Sequence, residues 1–402
     1  MRLSMNTRYA VIHASFWGAY GSLWAFIALV LEYNGFASAQ VGVVTSCATL
    51  LSVFLSPAVS SFLDARPGLE NRHGAMALLT LAAALCLLVW LVPLPRPFVL
   101  GACFALIGAF LSSTPPFQNA MAMDANRCGI PVVCGFCRGV GSVSYAAAVL
   151  LLGFVLERHA PTLLLPVFAA LTACGLLAMS GFRLPERPDE AADRPAEHRS
   201  IAAVLRSHPR FALTLLGCMF FFLTHTISNT YMNALVGKAG GTASAVGTSL
   251  AISAVLELPA MTLVSRLQKR FSPGFFLRFA AGAEVVKFLI FYLARSMPLI
   301  YLGHCMQFFQ FAVYAPATVY YVAAALPERD QLKGQSLIYV AGSGLGGALG
   351  NLLGGRLLDR SGIQAALLLG TVSAAASLLT FCLSTREACM RQWCCSTMAL
   401  GK

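Results

Sequence analysis

Charge is what this chain has least of. Only 11% of its 402 residues are Asp, Glu, Lys or Arg, against 58% hydrophobic, and the mean hydropathy is +0.73. A soluble domain needs roughly 25% charge to clothe its surface, so a water-facing globule is excluded. Acidic residues are the scarcer sign, 16 against 28 Lys and Arg, for a net charge of +12. That excess forms no basic patch. It is spread over short loops between apolar runs, a pattern that membrane topology explains without any nucleic acid. Histidine is also sparse, and none accompanies the CxxC of Cys134 and Cys137, so no metal site is expected. The thirteen cysteines lie in apolar segments and read as small, reduced packing residues. The first apolar run has full helix length and lacks a small-residue cleavage site, so no cleavable signal is expected. No clustered His/Asp or nucleophile motif lies at a membrane face, which leaves an enzyme reading without a foundation.

What is present is hydrophobic length. Apolar runs of about 20 residues mark spanning helices. Twelve are legible, at 9–31, 40–63, 74–93, 97–119, 134–156, 162–182, 209–235, 243–264, 274–294, 298–325, 335–358 and 363–383. Residues 183–208 are rich in proline and charge and read as a cytoplasmic linker. The expected organisation is an all-α membrane protein: a six-helix half at 1–182, the linker, a second half at 209–385, and a cytoplasmic tail at 386–402. With the N-terminus inside, 21 cationic residues fall in cytoplasmic segments and 6 outside, with Lys287 inside a span. Both termini are therefore expected in the cytoplasm of a cell membrane protein. The Cys394-Cys395 pair in the tail carries no clear signal.

The halves repeat. At an offset of 201, half the chain, Phe110 answers to Phe311, Pro115 to Pro316, Gly141-Ser142 to Gly342-Ser343, and Gly153 to Gly354. Such repetition at half the chain length is the signature of a duplicated membrane bundle.

Polar residues inside the spans are the site candidates, because each is costly there. The first segment carries His13, Trp17, Tyr20 and Trp24 at spacings of four, three and four, an aromatic stripe on one face. Arg138 heads the fifth segment, and Tyr145, seven residues on, faces the same way at helical pitch. Two readings of Arg138 stay open: a cavity cation, or a side chain reaching the cytoplasmic surface. The seventh segment aligns His225, Asn229 and Asn233 at spacings of four. Such a stripe must face protein or water, and helix–helix hydrogen bonding competes with a cavity lining. Glu257 lies two residues before Pro259, and Glu284 and Lys287, three apart, are placed to pair. Gln307, Gln310 and His304 occupy the tenth segment. The eleventh has Gly342, Gly346, Gly350 and Gly354, a smooth face for close helix contact.

Some of these stretches resemble a known family. GFCRGVGSVSYA (Gly135–Ala146) is similar to a block of major facilitator proteins related to lactose, nucleoside and phenylpropionate permeases. ELPAM (Glu257–Met261) and GQSLIYVAGSGLGGALGNLLGG (Gly334–Gly355) extend the likeness along most of the chain. SSFLDARPGLENR (Ser60–Arg72) resembles the family's loop motif, an acid–base latch at the cytoplasmic helix ends, with Ser60 for its glycine and Ala65 between Asp64 and Arg66. The resemblance implies twelve helices in two pseudo-symmetric halves, with Arg138 binding solute and Tyr145 stacking on it. It also implies a coupling role for Lys287. It departs where relatives carry acids: Gln118 and Asn119 stand late in the fourth segment, with Asp124 expected in the loop beyond. Gln307 and Gln310 stand where lactose-type permeases have a histidine and a proton-carrying glutamate.

The reading is a secondary transporter moving a sugar, nucleoside or aromatic acid by alternating access, with the proton as symported ion. A drug or metabolite exporter is the alternative. It is disfavoured because Gly135–Gly153 lacks the proline of the antiporter signature. Arg138, Tyr145, Trp17, Tyr20, Asn229, Asn233, Gln307 and Gln310 are the expected solute contacts, and Glu257, Glu284, Lys287 and His304 the coupling groups. The expected partners are a small-molecule substrate, the proton and the lipid bilayer, with no cofactor and no nucleic acid, for a chain acting as a monomer.

Overall fold

The structure is a computed structural model that describes residues 4–66, 68–92, 96–185, 201–268 and 270–385. All regular structure among them is helical. The spanning helices are α1 (Met5–Tyr33), α2 (Ser38–Asp64), α3 (Asn71–Leu91), α4 (Pro97–Arg127), α5 (Cys134–Val155), α6 (Pro161–Ser180), α7 (Pro209–Thr230), α8 (Ala243–Leu267), α9 (Pro273–Leu293) and α10 (Met297–Ala325). A single path, Lys333–Ser384, then holds α11 and α12, which part at Gly362 (φ 75°, ψ 177°). Only glycine adopts that backbone without strain.

Ten of these segments are long and apolar enough to cross a membrane. The other two of the twelve have plain causes. α11 and α12 count as one path, and α9 carries Arg278, Glu284 and Lys287 within its length. The expected linker and tail lie mostly outside the described residues, at 186–200 and 386–402; the described part of the linker includes a short helix, Ile201–Ser207.

Four helices are broken, and they are every third one. α1 passes through a 3-10 turn at Trp24–Phe26, and α4 bends at Thr114 ahead of Pro115. α7 ends at Thr230, and the chain restarts as Met232–Lys238. α10 is interrupted by the 3-10 turn Met306–Phe308. Discontinuous helices release backbone polar groups, which survive in a membrane only beside protein or a water-filled cavity. The breaks thus mark where the solute path should lie.

The halves are joined at one end. There Gly42 and Gly355 leave room for the Tyr231 hydroxyl, and the Ser46 hydroxyl donates to Ala348 O at 2.8 Å. Gly153 of α5 and Gly247 of α8 bring two backbones together, and a Cβ on Gly153 would lie 2.8 Å from Ala243 O. One apolar core fills the first half and continues into the second beside this end, from Ile12, Phe104 and Phe168 to Leu250, Phe288 and Ile300. At the opposite end the second half packs on a separate core of its own, built from Phe211, Phe221, Phe276, Leu277, Tyr314 and Phe381. One end is fastened and the other is not.

The loop motif does not form its latch. Asp64 is exposed and no bond joins it to either arginine; Arg66 lies 3.6 Å over the Phe62 ring, and Arg72 pairs with Glu70 at 2.9 Å. Asp124, expected in a loop, is instead buried in α4 and accepts from Asn71 at 2.8 Å.

The glycine contacts generate a prediction. Gly247→Val places a branched side chain against Val149 O, and overpacking of this kind costs about 1–3 kcal/mol. Its thermal unfolding midpoint should fall, whereas Gly237→Ala, which meets nothing within 4 Å, should leave it unchanged.

Candidate solute site between the halves

On the first half, small residues set the rings in place. Gly141 backs onto Trp17, Gly21 onto Tyr145 and Gly18 onto Ser144, whose hydroxyl donates to Ala14 O at 2.7 Å. α1 and α5 therefore pack closely and present Trp17, Tyr20 and Tyr145 from adjoining faces, all half-buried. Trp17 and Tyr20 have ring centroids 5.6 Å apart. The Arg138 guanidinium is exposed and stands 5.8 Å from the Trp17 ring, within cation–π range. The four residues expected here do come together.

Across from them lies a chain of charged and amide groups. The Lys287 ammonium donates to Gln307 Oε1 at 3.1 Å, and Gln307 Nε2 donates to Glu257 Oε1 at 3.0 Å. The two charges fix which way the amide points, because Lys287 can only donate and Glu257 accepts. The expected Glu284–Lys287 pair does not form as an ion pair. Lys287 is drawn to Gln307, while both carboxylate oxygens of Glu284, fully buried, have no hydrogen-bond partner. Glu257 is half-buried and lies within electrostatic reach of Arg138 and Tyr145 in the other half. It is the residue on which the two sides converge.

A second cluster surrounds His225 of α7. Its ring stacks on Phe311 at 4.5 Å and 9°. Asn229 Nδ2 approaches His225 Nε2 at 3.1 Å, and the Gln310 amide reaches His225 Nδ1 at 3.5 Å. A neutral imidazole accepts at only one nitrogen. Both contacts are made by amide nitrogens, so a neutral ring accepts from only one of them, and the shorter approach is that of Asn229. Asn233 departs from the expected stripe: α7 breaks at Tyr231, so Asn233 sits on the separate Met232–Lys238 helix. His304 also stands apart from Gln307; its Nδ1 meets the Ser253 hydroxyl at 3.0 Å.

Two neighbours were not singled out as site residues from sequence. Tyr339 of α11, 42% exposed, lies within electrostatic reach of Tyr20 and bonds Ser52. The other is Phe311, which stacks on His225. Their signal was faint: Phe311 is the repeat counterpart of Phe110, and Tyr339 lies in a stretch whose glycines drew the attention.

With this geometry in view, the comparisons with known proteins gain meaning. Residues 6–369 match the MFS_1 like family. The chain belongs to this family of major facilitator transporters. It is 26% identical over 376 residues to the maltose permease of Geobacillus stearothermophilus, spanning 92% of each chain. It is 22% identical over 398 residues to the uncharacterized transporter YwbF of Bacillus subtilis (strain 168), spanning 96% of each. Among solved structures, the nucleoside transporter NupG superposes with a TM-score of 0.79 at 16% identity, over 96% of this chain and 99% of that one. The fold is thus the major facilitator fold, and the chain is a multi-pass membrane transporter rather than an enzyme.

The Lys287 chain generates the next prediction. Lys287→Met leaves buried acceptors unanswered, a loss of roughly 3–5 kcal/mol for a broken buried pair. Adding Glu257→Gln should recover part of the lost thermal stability, because the carboxylate charge goes too. A double variant no better than the sum of its singles would deny the coupling.

Proposed function

We propose that this transporter imports a neutral, hydroxylated solute, a sugar or nucleoside, in symport with a proton. The observation that carries this reading is the opposition of Arg138 on one half to Glu257 on the other. A donor and an acceptor facing each other suit hydroxyl groups, which accept from the first and donate to the second. An anion would gain from Arg138 but be opposed by Glu257. Half-buried Trp17, Tyr20 and Tyr145 add faces on which a sugar or base ring stacks. The amides of Asn229 and Gln310 about His225 supply further uncharged partners. The maltose permease and the nucleoside transporter, by the solutes their names state, support the same class.

We assign the coupling proton to Glu284. Its carboxyl is buried without a hydrogen-bond partner one turn from Lys287, so binding a proton there alters the charge balance of the Lys287–Gln307–Glu257 chain. Solute engaging Glu257 acts on the other end of the same chain. With both termini cytoplasmic, as the 21-to-6 distribution of cations implies, the fastened end faces outward. The solute path then opens to the cytoplasm.

Thermal unfolding of the purified protein against a panel of sugars and nucleosides tests the solute. At ~100 times its dissociation constant a true solute stabilises by about 2.7 kcal/mol, and Arg138→Ala should abolish the shift. A shift that survives the variant would remove Arg138 from the site. Proteoliposome uptake tests the coupling. Wild-type uptake should rise with an imposed inward proton gradient, and Glu284→Gln should lose that response; an unchanged response would contradict the assignment.

A further inference from the structure

Two helices at the fastened end make no bond from an N-cap side chain to their own first turn. The first turn of a helix leaves backbone N–H groups without intrahelical partners, and a Ser, Thr, Asp or Asn at the N-cap normally accepts from one. The N-cap of α2 is Ala37, which has no acceptor. The missing oxygens arrive from the other half. Asp359, on α11, accepts from Ser38 N at 3.0 Å and from Ala39 N at 2.7 Å, with one carboxylate oxygen on each. The N-cap of α8 is Thr242, a suitable residue whose side chain nevertheless makes no cap bond. Its hydroxyl is turned outward instead and donates to Glu157 Oε1 at 2.7 Å, and Glu157, just past the end of α5, also bonds Ser244. Those bonds, from Ser244 first and Thr242 second, hold the exposed Glu157 carboxyl below its usual range.

The arrangement recurs with a difference: Asp359 takes two first-turn N–H groups, whereas Glu157 is held by the Thr242 hydroxyl and by Ser244. At the 201-residue offset Glu157 corresponds to Leu358, one residue from Asp359, and α2 and α8 are counterparts, with Pro57 and Pro259 inside them. Each half thus reaches across with a carboxylate at the end of its fifth helix to the first turn of the opposite half's second helix. A negative charge there also complements the helix dipole.

We propose that Asp359 and Glu157 are a symmetric pair of trans caps that hold the outer gate: α2 and α8 have complete first turns only while the halves are joined at this end. Opening that end uncaps both helices at once. The tie itself is polar and short, so its bonds can be exchanged for bonds to water. The proposal rests on the alternating-access reading, but its readout requires neither solute nor transport.

Hydrogen exchange of the intact protein in lipid nanodiscs, read by mass spectrometry, tests it. Asp359→Asn should speed exchange in peptides covering Ser38–Val41, and Glu157→Gln in those covering Ser244–Gly247, each on the order of tenfold for a lost charged hydrogen bond. In the double variant, peptides at the opposite end, about Cys134–Val140 and Tyr339, should exchange more slowly as that end closes. Asp359→Asn combined with Ala37→Asn separates gate from cap. The local asparagine restores protection at Ser38–Val41, while the change at the opposite end persists. Should Asp359→Asn fail to fold, the exposed Glu157→Gln reads the other arm alone. Unchanged exchange at the first turns, or faster exchange there with no response at the opposite end, would overturn the proposal.

Discussion

A buried cation in a membrane protein must be answered, and here the answer runs through an amide. Lys287 is 2% exposed, and its ammonium is met by Gln307, which passes the interaction to Glu257. Isolated charges in the bilayer interior cost several kcal/mol each, so the positions of α8, α9 and α10 relative to one another are set by this chain. Gln307 sits in the 3-10 interruption of α10, where the helix could not otherwise aim a side chain at two neighbours. The same residue makes the chain asymmetric. An amide relays direction without titrating, so in the proposed symport the proton enters at an end, at Glu257 or beside Lys287 at Glu284.

The second constraint is the repeat. Breaks in α1, α4, α7 and α10 recur in both halves, as do the internal prolines of α2 and α8. Duplication explains why the residues proposed to meet the solute come in two sets, aromatic with a cation on the first half and amide with carboxylates on the second. It also explains why the fastened end is closed twice, by α2 against α11 and by α5 against α8. A rocking motion about such an axis needs each closure to be weak in itself and matched to its twin.

Much of this was legible in the sequence, for physical reasons. Hydropathy marks spans directly, because lipid tolerates little else. Even α9 was placed correctly, although three charges keep it from qualifying on composition. Helical pitch put Trp17 and Tyr20 on one face of α1 and Arg138 and Tyr145 on one face of α5, and the structure brings the two faces together. What lay beyond reach was register between helices. Glu284 and Lys287 are well spaced to pair, yet Lys287 turns to Gln307, and no single helix reveals that preference. Asn233 fell off its stripe because nothing in the sequence around Tyr231 announces the break. Asp64 and its arginines share a motif but not a contact, since that latch belongs to an end that is not fastened here. Nothing in the sequence singles out Glu157 or Asp359, and only the cross-half geometry sets each beside the opposite half.

The central claim is that one solute bridges the halves, held by Arg138 on one side and Glu257 on the other. Solute dissociation constants for the wild type, Arg138→Gln, Glu257→Gln and the double variant test it most directly. Bridging predicts that each single variant loses affinity by about tenfold or more, as for a lost charged hydrogen bond. It also predicts that the double loses less than the two losses combined, because a solute released on one side is already poorly held on the other. A Glu257→Gln variant that binds as the wild type does, with the whole loss in Arg138→Gln, would contradict the claim and place the solute on the first half alone.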